Sequence, residues 1–506
     1  MRESGILMHI TSLPGPYGVG TMGKNAYQFV DFLESAGQSY WQILPLTPTG
    51  FGDSPYQSFS ACAGNHYLID LDTLVEEGLL KREEITGIVW EKQSDRVDYG
   101  TLYAQRSKLL AKACSRFVRD AAYEAFVKEN REWLEEYAIF MALKNSMGGK
   151  IWLEWPEELK CHNASALAAK ALELKAEVQL QYFLQYQFDR QWKALRRYAG
   201  GKGIRIIGDV PIYVPLDSAD VWAAPELFQL DAGRRPEVVA GCPPDAFTED
   251  GQLWGNPIYD WKKMADTGYA WWVKRLAAAA KMNDVVRFDH FRGFESYWAV
   301  PAGDKTARNG RWVKGPGLSF IRAIQKALPD LDFIAEDLGY MTDTVKQLVA
   351  DSGFPGMKVL EFAFDSRDTG NASDYLPHNY DKNCVAYTGT HDNETLTGWF
   401  KNISDEERTM ARDYLNDYHS LDEEIYWNII NLVMRSHADL CIIPMQDYLG
   451  YDNSARMNQP STVGINWRWR ITEEEMPEKL QKDIRTLTRR FGRLSHQWQK
   501  ELDETK

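Results

Sequence analysis

The sequence of 506 residues is poor in cysteine, has no excess of positive charge and contains no long hydrophobic run. Its six cysteines lie far apart and form no C-x-x-C pair, which excludes a disulfide scaffold and argues against structural zinc. We therefore predict no metal site. A membrane-spanning helix needs about 18 or more apolar residues in succession, and no stretch approaches that length, so no membrane partner is predicted.

The net charge and the spacing of the cysteines indicate which partners and which cellular compartment to expect. The formal net charge is −14, which argues against nucleic acid as a partner because phosphates would repel the protein. The apolar run near the N-terminus is short, and Pro and Gly interrupt it too early for a signal peptide. Widely spaced cysteines suit free thiols in a reducing compartment, so we expect a cytoplasmic protein.

Aromatic residues, in contrast, are abundant. The chain contains 18 Trp, 25 Tyr and 21 Phe, which together make up 13% of it. Aromatic rings stack on the apolar faces of sugar rings, and this favours carbohydrate binding. Large α/β cores also bury many aromatic side chains, so composition alone leaves both interpretations open.

Eight short apolar runs recur along the chain, and amphipathic segments lie between several of them. Runs that are apolar almost throughout are typical of strands buried on both faces of a parallel sheet. Eight of them, alternating with helices, predict an α/β fold, the (β/α)8 or TIM barrel; a doubly wound open sheet is the alternative. The predicted strands are 5–10, 40–46, 204–212, 285–290, 332–337, 358–364, 383–392 and 439–447.

Two long insertions interrupt the predicted barrel. Residues 47–203 are amphipathic and charged, which indicates a mostly helical subdomain. Residues 213–284 include the Pro/Gly-rich stretch 236–260, which we predict to be a loop without regular structure; such long loops are more often functional than idle. No series of alternating strands follows residue 447, so no C-terminal β-sandwich is expected and residues 1–506 form one catalytic unit.

Acidic and other polar residues lie at the ends of five predicted strands. The C-terminal ends of barrel strands form the active site in this fold, so these side chains should converge. Convergent carboxylates either bind Mg²⁺ or Mn²⁺ or cleave a glycosidic bond as a nucleophile and an acid/base pair. The residues are Asp209; Arg287, Asp289 and His290; Glu336 and Asp337; His391, Asp392 and Asn393; and Gln446 and Asp447.

The position of Arg287 favours glycoside chemistry. It lies two residues before Asp289 and therefore on the same face of a strand, where its charge would keep the carboxylate ionised. Glu336 follows the apolar sequence FIA, and burial there would raise its pKa, as an acid/base residue requires. The aromatic content points in the same direction.

Several motifs resemble the 4-α-glucanotransferases of glycoside hydrolase family 77, also called amylomaltases, in the α-amylase clan. The resemblance runs from SGILMHITSLPGPYGVGTMG to RMNQPSTVGINWRWR and so covers nearly the whole chain. It implies the transfer of an α-1,4-glucan segment to the 4-hydroxyl of another glucan, with retention and without a cofactor. The motifs between these ends are SPYQSFSACAGN, GDVPIYV, PPDAFTEDGQLWGNPIYDW, RFDHFRGF, AEDLG and THDNETLTGW.

Motif by motif, the resemblance also implies roles for single residues. Asp289 would be the nucleophile, Glu336 the acid/base and Asp392 the carboxylate that stabilises the transition state. The stretch 236–260 would be a lid over the cleft. The residues that would contact or orient α-1,4-glucans and malto-oligosaccharides are Ser54, Tyr56, Asp209, Trp254, Arg287, His391 and Asn458.

Two departures from the family pattern concern the rim of the site. Cys62 and His66 stand where the family more often has an aromatic residue and a proline, and Ala246 stands where an aromatic residue is common in the lid. We expect altered packing from the first and a weaker acceptor contact from the second. Three other functions stay open at this point: an α-amylase-like hydrolase, a metal-dependent sugar isomerase or phosphatase, and an inactive glycogen-binding protein.

Overall fold

The computed structural model describes residues 2–244, 249–339, 341–366 and 372–504, and twelve strands occur in these residues. Eight of them form one sheet and four form another. In chain order the strands are β1 Glu3–Leu7, β2 Tyr40–Gln42, β3 Arg205–Pro211, β4 Val238–Cys242, β5 Gln252–Pro257, β6 Val285–Asp289, β7 Ser296–Pro301, β8 Arg311–Lys314, β9 Asp332–Ala335, β10 Gly356–Val359, β11 Cys384–Tyr387 and β12 Leu440–Pro444.

The eight-stranded sheet is a parallel barrel. Its order is β10-β11-β12-β1-β2-β3-β6-β9, and every recorded pair in it is parallel. The backbone N–H of Ala335 at the end of β9 donates to the carbonyl of Pro355 just before β10, at 2.9 Å, so the two outer strands meet and the barrel is nearly closed. The predicted barrel of eight parallel strands is confirmed, and the doubly wound open sheet is wrong. The strand predicted at 358–364 is displaced, because the observed strand is Gly356–Val359 and Leu360–Phe364 forms a 3-10 helix.

Strand residues of the barrel are buried on both sides, which explains their continuous apolar sequence. Ile442 in β12 packs inside the barrel with residues such as Val385 and Tyr387. Its neighbours Cys441 and Ile443 face outward and pack among the surrounding helices. Because successive strand residues point to opposite faces, a strand covered on both sides has no polar alternation.

Helices cover the barrel and fill the connection between β2 and β3. Nine of the described α-helices, α2 to α10, lie in that connection, and α19 to α21 follow β12. The α-helices are α1 Lys24–Ser35, α2 Leu71–Glu76, α3 Arg82–Thr86, α4 Tyr99–Thr101, α5 Ser107–Arg116, α6 Ala121–Glu129, α7 Arg131–Ser146, α8 Glu157–Lys160, α9 Ala164–Glu173, α10 Lys175–Gly201, α11 Ala219–Ala223, α12 Trp261–Asp266, α13 Ala270–Met282, α14 Leu318–Ala327, α15 Asp343–Ser352, α16 Leu396–Asn402, α17 Asp405–Leu415, α18 Tyr426–Met434, α19 Met445–Tyr448, α20 Glu478–Arg490 and α21 His496–Glu504.

Side-chain caps fix the starts of several of these helices. Asp70, Asp120 and Asn163 each accept a hydrogen bond from a backbone N–H of the first turn, which would otherwise lack a partner.

Within the described ranges, no helix has the length and apolar composition that crossing a membrane requires.

A second sheet corrects the prediction that 236–260 lacks regular structure. β4 and β5 come from this stretch and pair antiparallel, and β4 also pairs with β7, which pairs with β8, in the order β5-β4-β7-β8. The partner strand β7 lies more than 50 residues further along the chain, so the pairing leaves no local signal. Residues 245–248, which include Ala246, lie outside the described residues.

Candidate active site

Three neighbouring strands of the barrel bring acidic side chains to one end. β3 carries Asp209, β6 carries Arg287 and Asp289, and Glu336 directly follows β9. The register pairs Asp209 with Arg287 across β3 and β6. Because these strands are parallel and adjacent, their carboxyl ends meet, as the sequence predicted for this fold.

Arg287 forms the centre of the acidic group. Its Nη1 lies 2.6 Å from Asp209 Oδ2 and 3.2 Å from Asp289 Oδ1. The guanidinium and the Asp209 carboxylate are almost completely buried, whereas Asp289 is partly exposed. A buried charge is tolerated only when it is paired, so these contacts fix the guanidinium between the two carboxylates.

The turn after β6 connects Asp289 to Glu336. His290 has a left-handed backbone, with φ of 55°, and its N–H donates to the Glu336 carboxylate. The N–H of Glu336 donates to the carbonyl of Phe288, and the N–H of Phe291 donates to the carbonyl of Glu336, each at 3.0 Å. These bonds hold the Glu336 carboxyl beside the end of β6.

Tyr56 and His391 join this group to Asp392. The Tyr56 hydroxyl lies 2.8 Å from Asp209 Oδ2 and 2.8 Å from His391 Nε2, and the two rings stack with centroids 5.3 Å apart. His391 Nε2 lies 3.2 Å from Asp392 Oδ2. The Asn458 amide donates to Asp392 Oδ1 at 2.6 Å.

The three carboxyl groups have different proton affinities. Burial raises the pKa of Glu336 to about 8, Arg287 opposes this, and the charge of Asp289 adds to it. Burial also raises the pKa of Asp289 to about 6, against the lowering effect of Arg287. Arg287 therefore limits the rise but does not cancel it. Burial acts on Asp392 too, but His391 and Asn458 outweigh it and hold its pKa well below the usual range.

Ser54 and Trp254, also predicted for the site, lie at its margin. The Ser54 hydroxyl accepts the backbone N–H of Tyr56 at 3.2 Å and so fixes the turn that presents the tyrosine. Trp254 in β5 contacts the ring of His290, with centroids 4.8 Å apart and planes at 87°. All ten predicted site residues thus make contacts at or beside the carboxyl ends of the strands.

Two strand-end acids have structural contacts instead. Asp337 accepts the N–H of Met357 at 2.6 Å, and Asp447 accepts the N–H of Leu396 at 2.8 Å and the hydroxyl of Thr388 at 2.6 Å. These bonds join neighbouring strands and the start of α16. Chemistry at a strand end therefore cannot be assigned from an acidic residue alone.

Two residues at the site were not singled out from the sequence. Arg456 donates to the carbonyl of Asp392 at 2.7 Å and to that of Asn458 at 2.7 Å, and so holds the turn between them. Trp467 packs 5.6 Å from the ring of Tyr56 and 6.1 Å from that of His391. Both residues lie in the motif RMNQPSTVGINWRWR, which offered a signal for them.

The two described residues that depart from the family pattern make contacts with near neighbours in the chain. His66 is half-buried, and its ring lies 4.3 Å from that of Tyr67. The N–H of Cys62 donates to the Ser60 hydroxyl at 3.1 Å. In the part of the chain that the structure describes, no group of three His, Cys, Asp or Glu side chains is arranged to hold a metal ion.

The site combines a parallel barrel, three carboxylates of different proton affinity near its strand ends, and aromatic rings beside them. This combination is typical of the carboxylate-dependent enzymes that act on glycosidic bonds. Comparison with known proteins narrows this class. The sequence profile of glycoside hydrolase family 77, described as 4-alpha-glucanotransferase, matches residues 8–475. The chain belongs to this family of hexosyl-transferring enzymes.

Individual relatives agree with the profile over nearly the full chain. The 4-alpha-glucanotransferase of Clostridium butyricum is 47% identical over 491 residues, which cover 96% of this chain and 100% of the relative. That of Thermus thermophilus is 46% identical and covers 97% and 99%. The structure of the amylomaltase from Streptococcus agalactiae in complex with acarbose is 42% identical, with a TM-score of 0.94 and coverage of 97% and 100%. These similarities support transfer over the hydrolase alternative.

Proposed function

We propose that this enzyme moves a segment of an α-1,4-glucan to the 4-hydroxyl of another glucan or of glucose by a retaining double displacement. The observation that carries the mechanism is the contrast between Glu336, whose pKa is raised to about 8, and the neighbouring Asp289, which Arg287 contacts directly. Around neutral pH one carboxyl group is then protonated and the other is ionised. This division is what an acid and a nucleophile need.

In the first displacement, Asp289 attacks the anomeric carbon while Glu336 gives its proton to the leaving glycosidic oxygen. The C–O bond to the leaving glucan breaks and an ester bond to the Asp289 carboxylate forms. Arg287 remains beside Asp209 and balances part of the negative charge on this side of the site.

In the second displacement, Glu336 acts as the base. Glu336 has already given its proton to the leaving glucan. The ester has no charge on Asp289, and this removes one of the causes that raise the pKa of Glu336, so its carboxylate stays ionised. Glu336 can then take the proton of the incoming 4-hydroxyl, which attacks the anomeric carbon and releases Asp289. The configuration at that carbon is retained.

The remaining residues bind and orient the sugar. Asp392 stays ionised because of His391 and Asn458, and it accepts hydrogen bonds from hydroxyl groups of the distorted ring in the transition state. Tyr56, with its hydroxyl fixed by Asp209 and His391, offers a ring face to the sugar. Ser54 sets the Tyr56 turn, and Trp254 beside His290 contacts the glucan next to the point of cleavage.

We propose further that 236–260 acts as a lid on a single catalytic unit. Its strands β4 and β5 carry Trp254 to the site, which supports an acceptor sugar being held while water is displaced. All six cysteines lie in the described residues and none is in a disulfide bond, which supports a reducing compartment such as the cytoplasm.

The test is to incubate the purified protein with maltotriose alone and to separate the products by chain length. We expect glucose together with maltopentaose and longer chains, while the number of reducing ends stays constant. A rise in reducing ends with accumulation of glucose and maltose would indicate hydrolysis and would overturn the proposal. Asp289→Asn serves as the inactive control.

A further inference from the structure

Trp312 differs from the other tryptophans in its exposure. All 18 tryptophans lie in the described residues, and Trp312, at 37%, is the only exposed one among them. Tryptophans that serve the core, such as Trp152, Trp222 and Trp272, are completely buried here. An exposed aromatic ring offers an apolar surface, and its rigidity and its neighbours decide whether a ligand can stack on it.

The ring of Trp312 is held in place from two directions. The guanidinium carbon of Arg292 lies 3.8 Å from the centroid of the ring, and the ring of Trp298 meets it at 68° with centroids 5.1 Å apart. Trp298 is itself fixed, because its indole N–H donates to the carbonyl of Ala307 at 2.8 Å. A ring with fixed neighbours binds a ligand at a smaller entropic cost than a mobile side chain does.

Polar groups lie on the same face of the sheet. Trp312 pairs with Trp298, and Lys314 pairs with Ser296, across β8 and β7. Residues two apart on a strand share a face, so the Lys314 ammonium lies beside the ring system, where it pairs with the Glu295 carboxylate. An exposed ring bordered by hydrogen-bonding groups is suited to a sugar, which has apolar faces and hydroxyl edges.

The position relative to the active site indicates which sugar. Arg292, which lies against the ring of Trp312, is three residues after Asp289, so the ring lies near the end of the barrel at which the carboxyl groups meet. Trp254 stands on β5, at the opposite edge of the sheet from β8. A polymer held in the cleft therefore has a route to this sheet. We propose that Trp312, supported by Trp298, is a platform for a glucosyl ring of the same α-1,4-glucan at a distance from the point of cleavage. This inference rests on the proposed function and adds a contact that only longer substrates reach.

The test separates binding of a long glucan from turnover of a short one. Binding is measured by retardation in native gels that contain amylose, in an Asp289→Asn background that prevents turnover. Adding Trp312→Ala should weaken amylose binding about 3- to 10-fold, the range that corresponds to one aromatic contact. Trp312→Phe, which keeps a ring over Arg292, should retain most of the binding. Tyr418→Ala is the matched control, because Tyr418 is 59% exposed and lies outside this sheet.

Turnover of maltotriose is measured with Trp312→Ala as a single substitution. We expect kcat/KM for maltotriose within about twofold of the unsubstituted enzyme, because three sugar units occupy the cleft alone. If kcat/KM for maltotriose fell by the same factor as the affinity for amylose, Trp312 would only hold Arg292 in place. That result would overturn the platform. Unchanged amylose binding would also overturn it, as would a change in oligomeric state that accounts for the retardation. Failure of the unsubstituted enzyme to rearrange maltotriose would refute the proposed function instead.

Discussion

The Tyr56 hydroxyl lies 2.8 Å from Nε2 of His391, a residue 335 positions further along the chain. The same hydroxyl lies 2.8 Å from Asp209 Oδ2. Tyr56 thus completes a line of contacts that runs from Asp289 through Arg287 and Asp209 and continues through His391 to Asp392. The two halves of the site are joined by one phenol.

Removing this hydroxyl should therefore lower activity more than stability. Tyr56→Phe keeps the ring but leaves Asp209 and His391 without their common partner, and we expect kcat/KM for maltotriose to fall about 10-fold or more. Steady-state kinetics and thermal unfolding would be measured together. Tyr269→Phe is the matched control, because its hydroxyl bonds to Ser319 on α14. A Tyr56→Phe enzyme with full activity would show that the contacts are not used.

Asp289 and Glu336 should each be required for turnover in an otherwise intact fold. We expect Asp289→Asn and Glu336→Gln to lose about 10³-fold or more in kcat, since each removes a group that takes part in bond making or proton transfer. Asp332→Asn is the control, because Asp332 lies at the opposite end of β9 from Glu336 and pairs with Arg205. A residual rate near that of the control would refute the assigned role.

The pH dependence of kcat/KM should be bell-shaped. Asp289 must be ionised to attack, so activity should fall below pH 6, where its carboxylate takes up a proton. Glu336 must be protonated to act as the acid, so activity should fall above pH 8. Rates measured from pH 4 to pH 10 would test both limbs. A profile that stays flat across pH 8 would mean that Glu336 is not the acid.

Replacing Arg287 should change both stability and the acidic limb. Arg287→Met leaves Asp209 buried without its cation, which costs about 3–5 kcal/mol of unfolding free energy. Because Arg287 lowers the pKa of Asp289, its removal raises that pKa and moves the acidic limb to higher pH. Denaturant titration and the pH profile would be compared with those of the unsubstituted enzyme. An acidic limb at its original pH would contradict the role of Arg287.

Trp254 should affect the partition between transfer and hydrolysis. It is partly exposed beside His290, so Trp254→Ala removes a surface for the acceptor sugar and should raise the share of water as acceptor. The ratio of transferred glucosyl units to new reducing ends measures this. Trp272→Ala provides the contrast: Trp272 is fully buried, and its loss should cost about 3–5 kcal/mol of stability. A Trp254→Ala enzyme with an unchanged ratio would argue against the acceptor contact.

Part of this molecule could be predicted from local sequence. The strands of the barrel are continuous apolar runs because both of their faces are covered, and this pattern is visible without any partner. Polar residues at the ends of such strands follow from the same pattern. Asp209, Asp289 and Glu336 could therefore be placed at one end of the barrel before their contacts were known.

Other features depend on pairs that are distant in the chain. The sequence 236–260 is rich in Pro and Gly, and its strands β4 and β5 belong to a sheet in which β4 pairs with β7. In the chain, β7 comes only after the barrel strand β6. Asp337 and Asp447 look like site residues at their strand ends, but each is bound by a backbone N–H of another element. No local pattern distinguishes them from Asp289.

The sequence by itself determined the barrel, the end at which the acids lie and the identity of the family, because hydrophobic periodicity and contiguous motifs are properties of short segments. The sequence also predicted the raised pKa of Glu336, but only the tertiary structure decided which neighbours set the charge of each carboxyl group and that burial raises the pKa of Asp289 despite Arg287. The pKa of Glu336 depends on burial and on Asp289, and that of Asp392 depends on His391 and Asn458. Proton affinity is set by neighbours in space, and these neighbours come from different strands and loops.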